Sequence, residues 1–166
     1  MSNAWLGGEA QNEGSRQREV RWLTPMHIVE SLGKFDLDPA GAPGHNLAEY
    51  TYTPENGHDG LTERWFGRVW LNPPYGPACA PFMRRMAEHG DGIALLFART
   101  ETAIFFETVW DRADALLFLR GRLTFLSGDR VAAKANSGAP SVLIAYGARN
   151  IEALRRCSLS GKLVLL

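Results

Sequence analysis

Short apolar runs alternate with polar or glycine-containing segments along most of the chain, from about residue 20 to the end. Residues 93–97 and 141–146 are apolar almost throughout, which is typical of strands buried on both faces of a sheet. Residues 35–38 alternate between apolar and polar, as a short strand does. In chain order, the predicted strands are residues 35–38, 46–53, 69–71, 93–97, 115–119, 123–126, 141–146 and 162–166.

Helical spacing of apolar residues occupies the segments between these strands, at residues 24–33, 81–89, 100–110 and 150–156. In the first segment Thr24 is the predicted N-cap, and Pro25 takes the first helical position, where a missing amide costs nothing. Thr100 is the predicted cap of the third helix. Strands that alternate with helices favour a three-layer α/β domain with a mixed sheet of about seven strands, parallel apart from a hairpin near its C-terminal end.

Composition is that of a folded globular domain, with 45% hydrophobic and 22% charged residues in a chain of 166. Residues 20–166 are the predicted single domain. Residues 1–19 are polar and rich in glycine, so we expect a disordered tail there. No apolar run approaches the ~20 residues needed to cross a bilayer, and the N-terminus lacks the pattern of a signal peptide. The expected location is therefore the cytoplasm, with no membrane partner.

Charge and cysteine content narrow the possible partners. Eighteen basic residues balance eighteen acidic ones, so no global field attracts nucleic acid, and a DNA partner would need a local basic patch. The two cysteines, Cys79 and Cys157, lack the spacing of metal ligands. We therefore predict no bound metal. The oligomeric state is left open by the sequence.

The most informative stretch is the corner Asn72-Pro73-Pro74-Tyr75, which follows the apolar run of residues 69–71. Proline fixes its own φ and extends the residue before it, so this corner keeps its shape without a ligand. The Asn72 side chain and the Asn72 and Pro73 carbonyls offer clustered acceptors beside the ring of Tyr75. This set suits a planar ring that carries an amino group, such as adenine, stacked on the tyrosine. The structural alternative is an ordinary proline-rich turn at a strand end.

An ordered series of short motifs surrounds this corner. It consists of Trp22-Leu-Thr-Pro25, Phe35-Asp-Leu-Asp-Pro39, Asp59-Gly-Leu61, Trp65, Val69-Trp-Leu-Asn-Pro-Pro-Tyr75, Ala98-Arg-Thr100 and Gly121-Arg122 with Phe125. Over about residues 20–147 the series resembles the amino-methyltransferases that use S-adenosylmethionine. More closely, it resembles the small phage and prophage DNA N-6-adenine-methyltransferase (Dam-type) family.

The resemblance implies a Rossmann-like class I methyltransferase fold, in which the corner follows the fourth strand. It also implies S-adenosylmethionine as cofactor, methyl transfer to the amino group of a flipped adenine in double-stranded DNA, and a bacterial host cell. The catalytic residues would be Asn72, Pro73, Pro74 and Tyr75. The cofactor would lie against Thr24, Pro25, Asp38, Pro39, Ala40 and Asp59, and hypothetical phosphate contacts are Arg84, Arg99 and Arg122.

Two features of the sequence depart from the common methyltransferase pattern, and the chemistry of the corner leaves other substrates open. The loop after Asp38 lacks the glycine-rich fingerprint of dinucleotide folds, and residues 39–71 are few for two strands with two crossovers. In addition, an amino group in RNA and a glutamine amide in protein present the same planar NH2 group to such a corner. A catalytically inactive module that binds nucleic acid is a third alternative. The polar loop over residues 127–140 is a candidate lid or binding segment.

Overall fold

The computed structural model describes residues 23–126 and 138–166, so the predicted tail and most of the predicted binding loop lie outside the described residues. The strands are β1 (Leu37–Asp38), β2 (Tyr50–Thr51), β3 (Val69–Leu71), β4 (Gly92–Phe97), β5 (Ala115–Leu119), β6 (Ser141–Tyr146) and β7 (Gly161–Leu165). The helices are α1 (Met26–Glu30), α2 (Cys79–His89), α3 (Ala103–Phe105), which continues as a π-helical turn (Phe106–Trp110), and α4 (Ala148–Arg156).

These seven strands form one mixed sheet in the order β2-β1-β3-β4-β6-β5-β7. The first four strands in that order pair in parallel, whereas β6 is antiparallel to both of its neighbours and β7 is antiparallel to β5. The predicted α/β class and mixed seven-stranded sheet are confirmed. The antiparallel part lies at the C-terminal end as predicted, but there β6 inserts between β4 and β5. The corner follows the third strand along the chain and not the fourth, which the resemblance implies. The reason is that only β2 and a 3-10 turn (Pro54–Asn56) separate β1 from β3.

The sheet carries an apolar layer on each face, which gives the three-layer arrangement. Successive residues of β3 show the alternation, since Val69 and Leu71 pack in the cluster with α2 and α3, and Trp70 packs in the cluster with α1 and α4. All three side chains are fully buried. A continuously apolar strand is therefore required here, because each side chain enters one of two cores.

The predicted strand over residues 123–126 is wrong. Only Leu126 pairs, through an isolated antiparallel bridge to Leu23. The physical reason is that β5 already has a partner on each side, β6 and β7, so β5 has no free edge for a hairpin strand. Phe125 is instead buried, with its ring edge-on to that of Phe97 at a centroid distance of 6.4 Å.

Two helix starts also differ from the predictions. Pro25 is the N-cap of α1, and the Thr24 side chain does not cap the helix, because its hydroxyl accepts a hydrogen bond from Asn72. The third helix begins after Thr102, whose amide and hydroxyl both bond to the carbonyl of Arg99. That turn displaces the helix start beyond Thr100. The predicted second strand shrinks to β2 because β1 offers only two residues for pairing.

A buried arginine joins several segments at the edge of the sheet opposite to the corner. The Arg68 side chain donates from Nε to Asn150 Oδ1 (2.7 Å) and from Nη1 to the carbonyls of Leu32 (3.0 Å) and Lys34 (2.9 Å). Its guanidinium lies 4.1 Å from the centroid of the Phe35 ring. Burial lowers the pKa of Arg68. Arg68 therefore ties the loop before β1 and the start of α4 to β3.

We expect Arg68→Ala to lower the free energy of unfolding by about 3 kcal/mol, because it leaves buried acceptors without donors. The control is Arg155→Ala, which removes an exposed cation 3.7 Å from Glu152 and should change stability by less than about 0.5 kcal/mol. Urea unfolding measures both values. Equal stability of the two variants would show that the Arg68 contacts are not structural.

Among residues 23–126 and 138–166, no helix is long and apolar enough to cross a membrane. The same residues contain no group of three His, Cys, Asp or Glu side chains that could hold a metal ion.

Candidate active site

A cleft of about 670 Å³ opens beyond the carboxyl ends of β1, β2 and β3. This volume lies within the range of sites for small molecules, and the position is where open α/β sheets bind ligands. Of the residues predicted from the sequence, its wall contains Thr24, Asp38, Pro39, Ala40, Asp59, Asn72, Pro73, Pro74 and Tyr75. Pro25 is adjacent to the wall as the N-cap of α1 but does not line the cleft.

The corner is positioned by the most buried strand of the sheet. β3 pairs with β1 on one side and β4 on the other, so Asn72 leaves a rigid ladder directly into the cleft. The Asn72 Nδ2 group donates to Thr24 Oγ1 at 3.2 Å. Because this bond engages the amide nitrogen, the amide oxygen lies on the other side of the group. The Thr24 side chain thus sets the rotation of the Asn72 amide.

An aromatic row supports the other end of the corner. The Tyr75 ring stacks on Phe97 with a centroid distance of 4.9 Å and an interplanar angle of 26°. Tyr75 is nevertheless 44% exposed and lines the cleft. Burial of the hydroxyl, with a smaller contribution from Cys79, raises the pKa of Tyr75 to about 12. The ring is therefore a neutral plate, held by Phe97 and accessible from the cleft.

Asp38 places a carboxylate deep in the wall of the cleft. It is 3% exposed, at the end of β1, and its Oδ1 accepts a hydrogen bond from the Ala40 amide at 3.1 Å. Burial raises the pKa of Asp38 to about 7, against the opposing effect of the Ala40 bond. In the described part of the chain no basic side chain forms an ion pair with Asp38. A buried carboxylate in this setting favours a cationic ligand.

The second acidic residue reaches the cleft because its loop packs against the loop after β1. A Cβ atom on Gly60 would lie 1.8 Å from the Pro39 carbonyl oxygen, so only glycine permits this approach. The Gly60 carbonyl accepts hydrogen bonds from Trp65 Nε1 (2.7 Å) and Arg85 Nη1 (3.0 Å). The loop is thereby fixed to α2, and Asp59 is held at the exposed rim of the cleft.

Three polar side chains of the wall were not predicted from the sequence. The Tyr52 and His58 rings stack at a centroid distance of 5.1 Å, and His45 Nε2 lies 2.9 Å from the Thr24 carbonyl oxygen. For Tyr52 a signal existed, since it follows β2 directly and so lies at the ligand edge. The positions of the two histidines depend on turns whose packing no local pattern indicates.

The three arginines predicted as phosphate contacts lie outside the cleft wall. Arg99 and Arg122 are exposed beyond the ends of β4 and β5. Arg84 instead forms a two-point ion pair with Glu107, with N–O distances of 2.6 and 3.0 Å. The hydrogen bonds to Glu107 raise the pKa of Arg84. A phosphate would have to displace this carboxylate, so the structure does not favour Arg84 as a contact.

The mixed sheet, with a proline-fixed corner and an acidic cleft at its carboxyl edge, is that of a Rossmann-like methyltransferase fold. The family model described as DNA N-6-adenine-methyltransferase (Dam) matches residues 12–160. The chain therefore belongs to the Dam family of DNA adenine methyltransferases, and the resemblance noted in its motifs is confirmed. No curated protein and no solved structure matches the chain.

Proposed function

We propose that this protein transfers a methyl group from S-adenosylmethionine to the exocyclic amino group of adenine at specific sites in double-stranded DNA. We further propose that it acts in the bacterial cytoplasm, as an enzyme of phage or prophage type. The observation that carries the proposal is a cleft that joins a buried carboxylate, Asp38, to the acceptors of the corner at Asn72 and Pro73. Family membership supports DNA and adenine as the substrate.

The acidic part of the cleft fits this cofactor in charge. S-adenosylmethionine supplies an electrophilic methyl group on a positively charged sulfonium, and its methionine part carries an ammonium group. Asp38 and Asp59 give the wall a negative charge that suits these groups. A Cβ atom on Gly41 would lie 2.2 Å from Thr51 Cγ2 and 3.1 Å from Asp38 Oδ2, so only glycine lets the loop after β1 pack this closely against β2 and the buried carboxylate.

The corner orients the amino group that receives the methyl. The Asn72 amide oxygen and the Pro73 carbonyl accept hydrogen bonds from the two N–H bonds, which directs the nitrogen lone pair away from the ring plane. The same acceptors offset the positive charge that develops on nitrogen in the transition state. Asn72 is neutral and does not act as a base. The surplus proton is acidic once the methyl has transferred and leaves to water.

Tyr75 provides the stacking surface for a base that has left the duplex. Phe97 covers one face of its ring, and the ring remains accessible from the cleft. Extrusion of a paired base costs a few kcal/mol of free energy, and stacking on an aromatic ring offsets roughly 1–3 kcal/mol of that cost. The neutral phenol carries no charge that would repel the nearby phosphates.

We expect Tyr75→Ala to lower kcat/KM for DNA methylation by roughly 10- to 100-fold, because the flipped base loses its stacking partner. Tyr75→Phe keeps the ring and should stay within about threefold of the wild type. The affinity for the cofactor, measured by calorimetry, serves as the check on folding and should not change in either variant. A Tyr75→Phe variant as impaired as Tyr75→Ala would contradict a stacking role.

The substrate class is tested by offering the protein labelled S-adenosylmethionine together with unmethylated duplex DNA, RNA or protein in parallel. We expect label in DNA alone. Label in RNA, or in a glutamine amide of protein, would show that the substrate is RNA or protein and not DNA. Cofactor binding without transfer to any of the three would indicate an inactive nucleic-acid-binding module.

A further inference from the structure

The charged residues at the carboxyl edge of the sheet separate by sign. Beside β1 and β2, in the acidic half, the described carboxylates outnumber the two arginines, Arg64 and Arg85; they are Asp38, Glu55, Asp59 and Glu63. Beyond β4 and β5 and at the start of β7, in the basic half, the cations among residues 23–126 and 138–166 outnumber the one carboxylate there, Glu101; they are Arg99, Arg120, Arg122 and Lys162. A chain with no net charge thus presents a local basic surface.

The strand pairing places these cations in a row. Arg99 follows β4, and β6 separates β4 from β5, so the ends of β4 and β5 lie about 10 Å apart at ~4.8 Å per strand. Arg120 follows β5, and its amide donates to the Ser160 carbonyl at 2.8 Å just before β7. Lys162 pairs with Phe118 in the next strand, which extends the row to about 15 Å. One DNA strand carries a phosphate per 3.4 Å of axis, so about four phosphates span this row.

The cations of the row differ from four exposed arginines elsewhere in the described part of the chain. Arg84 pairs with Glu107, Arg149 pairs with Asp91, and both arginines at the end of α4 pair with one glutamate. Within residues 23–126 and 138–166, no carboxylate forms an ion pair with Arg99, Arg120 or Lys162. All three are exposed. A phosphate can therefore bind them without displacing an internal partner.

We propose that the basic half of the carboxyl edge binds the backbone of the target DNA strand, with Arg120 and Lys162 as phosphate contacts. The inference rests on the proposed function, which supplies DNA as the substrate. The strand would leave the corner over β4, because Phe97 at the end of that strand supports Tyr75. The acidic half repels phosphates from the cofactor part of the cleft. The same separation of charge thus directs an anionic polymer and a cationic cofactor to neighbouring halves of one edge.

The test compares two double variants that remove the same charge from opposite edges. Arg120→Gln with Lys162→Gln changes the basic half, and Lys34→Gln with Arg112→Gln changes exposed cations at the amino edge. Anisotropy of a labelled unmethylated duplex is measured with each full chain over a range of salt concentrations. We expect the first pair to weaken binding roughly 10- to 100-fold at 0.1 M salt and to reduce the salt slope by about two. The second pair should match the wild type.

Enzymatic readouts separate this inference from the proposed function. The first double variant should raise KM for DNA while kcat at saturating DNA and the affinity for S-adenosylmethionine stay at wild-type values. Suppose that the wild type methylates DNA and that the first double variant binds DNA as tightly as the wild type does. The basic half is then not the DNA surface, and the proposed function stands. An equal loss of DNA affinity in both double variants would also refute the inference. A wild type that binds the cofactor but neither binds nor methylates duplex DNA would refute both.

Discussion

Asp38→Asn should weaken binding of S-adenosylmethionine by about 30- to 1,000-fold, because truncation of one partner in a buried charge pair costs about 2–4 kcal/mol. Asparagine keeps the shape and the acceptor for the Ala40 amide. The variant should also unfold at a higher urea concentration than the wild type at pH 8 when no ligand is present, because it removes a buried charge. Weaker binding together with higher stability is a result that misfolding cannot produce.

The pH dependence follows from the same carboxyl group. The pKa of Asp38 is raised to about 7 from 3.8, so its protonated form contributes stability that is present below pH 4 and is lost as the pH rises through 7. A cationic ligand requires the charged form. The affinity for the cofactor should therefore increase as the pH rises from 6 to 8, and the increase should disappear in Asp38→Asn.

The matched control is Asp59→Asn, which neutralises the exposed carboxylate of the same cleft. Because an exposed charge interacts through water, its loss should weaken cofactor binding by less than about tenfold. Calorimetry at pH 8 compares the two variants. A larger loss from Asp59→Asn than from Asp38→Asn would show that the rim, and not the buried wall, recognises the cation.

Asn72→Ala should lower kcat for methyl transfer by roughly 10²- to 10³-fold, which is the usual cost of one lost hydrogen bond to a charge that develops in the transition state. Cofactor affinity should remain within about threefold of the wild type, since the acidic wall is unchanged. Asn46→Ala removes an exposed amide outside the cleft wall and serves as control. A kcat for Asn72→Ala within tenfold of the wild type would remove the corner from the mechanism.

The strands that are predicted best from the sequence are those in which every residue is apolar or small because each side chain is buried. β6 has the bounds predicted for it, since its alternate side chains enter two cores and every position must be apolar or small. Residues 123–126 have the same local character, yet they form no strand. Whether a run becomes a strand depends on a free sheet edge, and β7, some 40 residues later, occupies that edge.

Much of the candidate site could likewise be predicted, because prolines fix the backbone of the corner locally. The role of Thr24 could not, since its hydroxyl bonds to Asn72, which is 48 residues away. Arg84 is a similar case, because an exposed arginine in sequence gives no sign that Glu107 will neutralise it. The positions of His45 and His58 depend on turns, and turn packing is a tertiary property.

In the proposed reaction, one cleft holds the methyl donor and an adenine amino group against the corner at Asn72. The most direct measurement uses S-adenosylmethionine with a deuterated methyl group, unmethylated plasmid DNA, and mass spectrometry of the digested nucleosides. We expect deuterated N6-methyladenine with the wild type and almost none with an Asn72→Ala variant that still binds the cofactor. Label on another base, no label in DNA despite cofactor binding, or equal label with Asn72→Ala would contradict the proposed reaction.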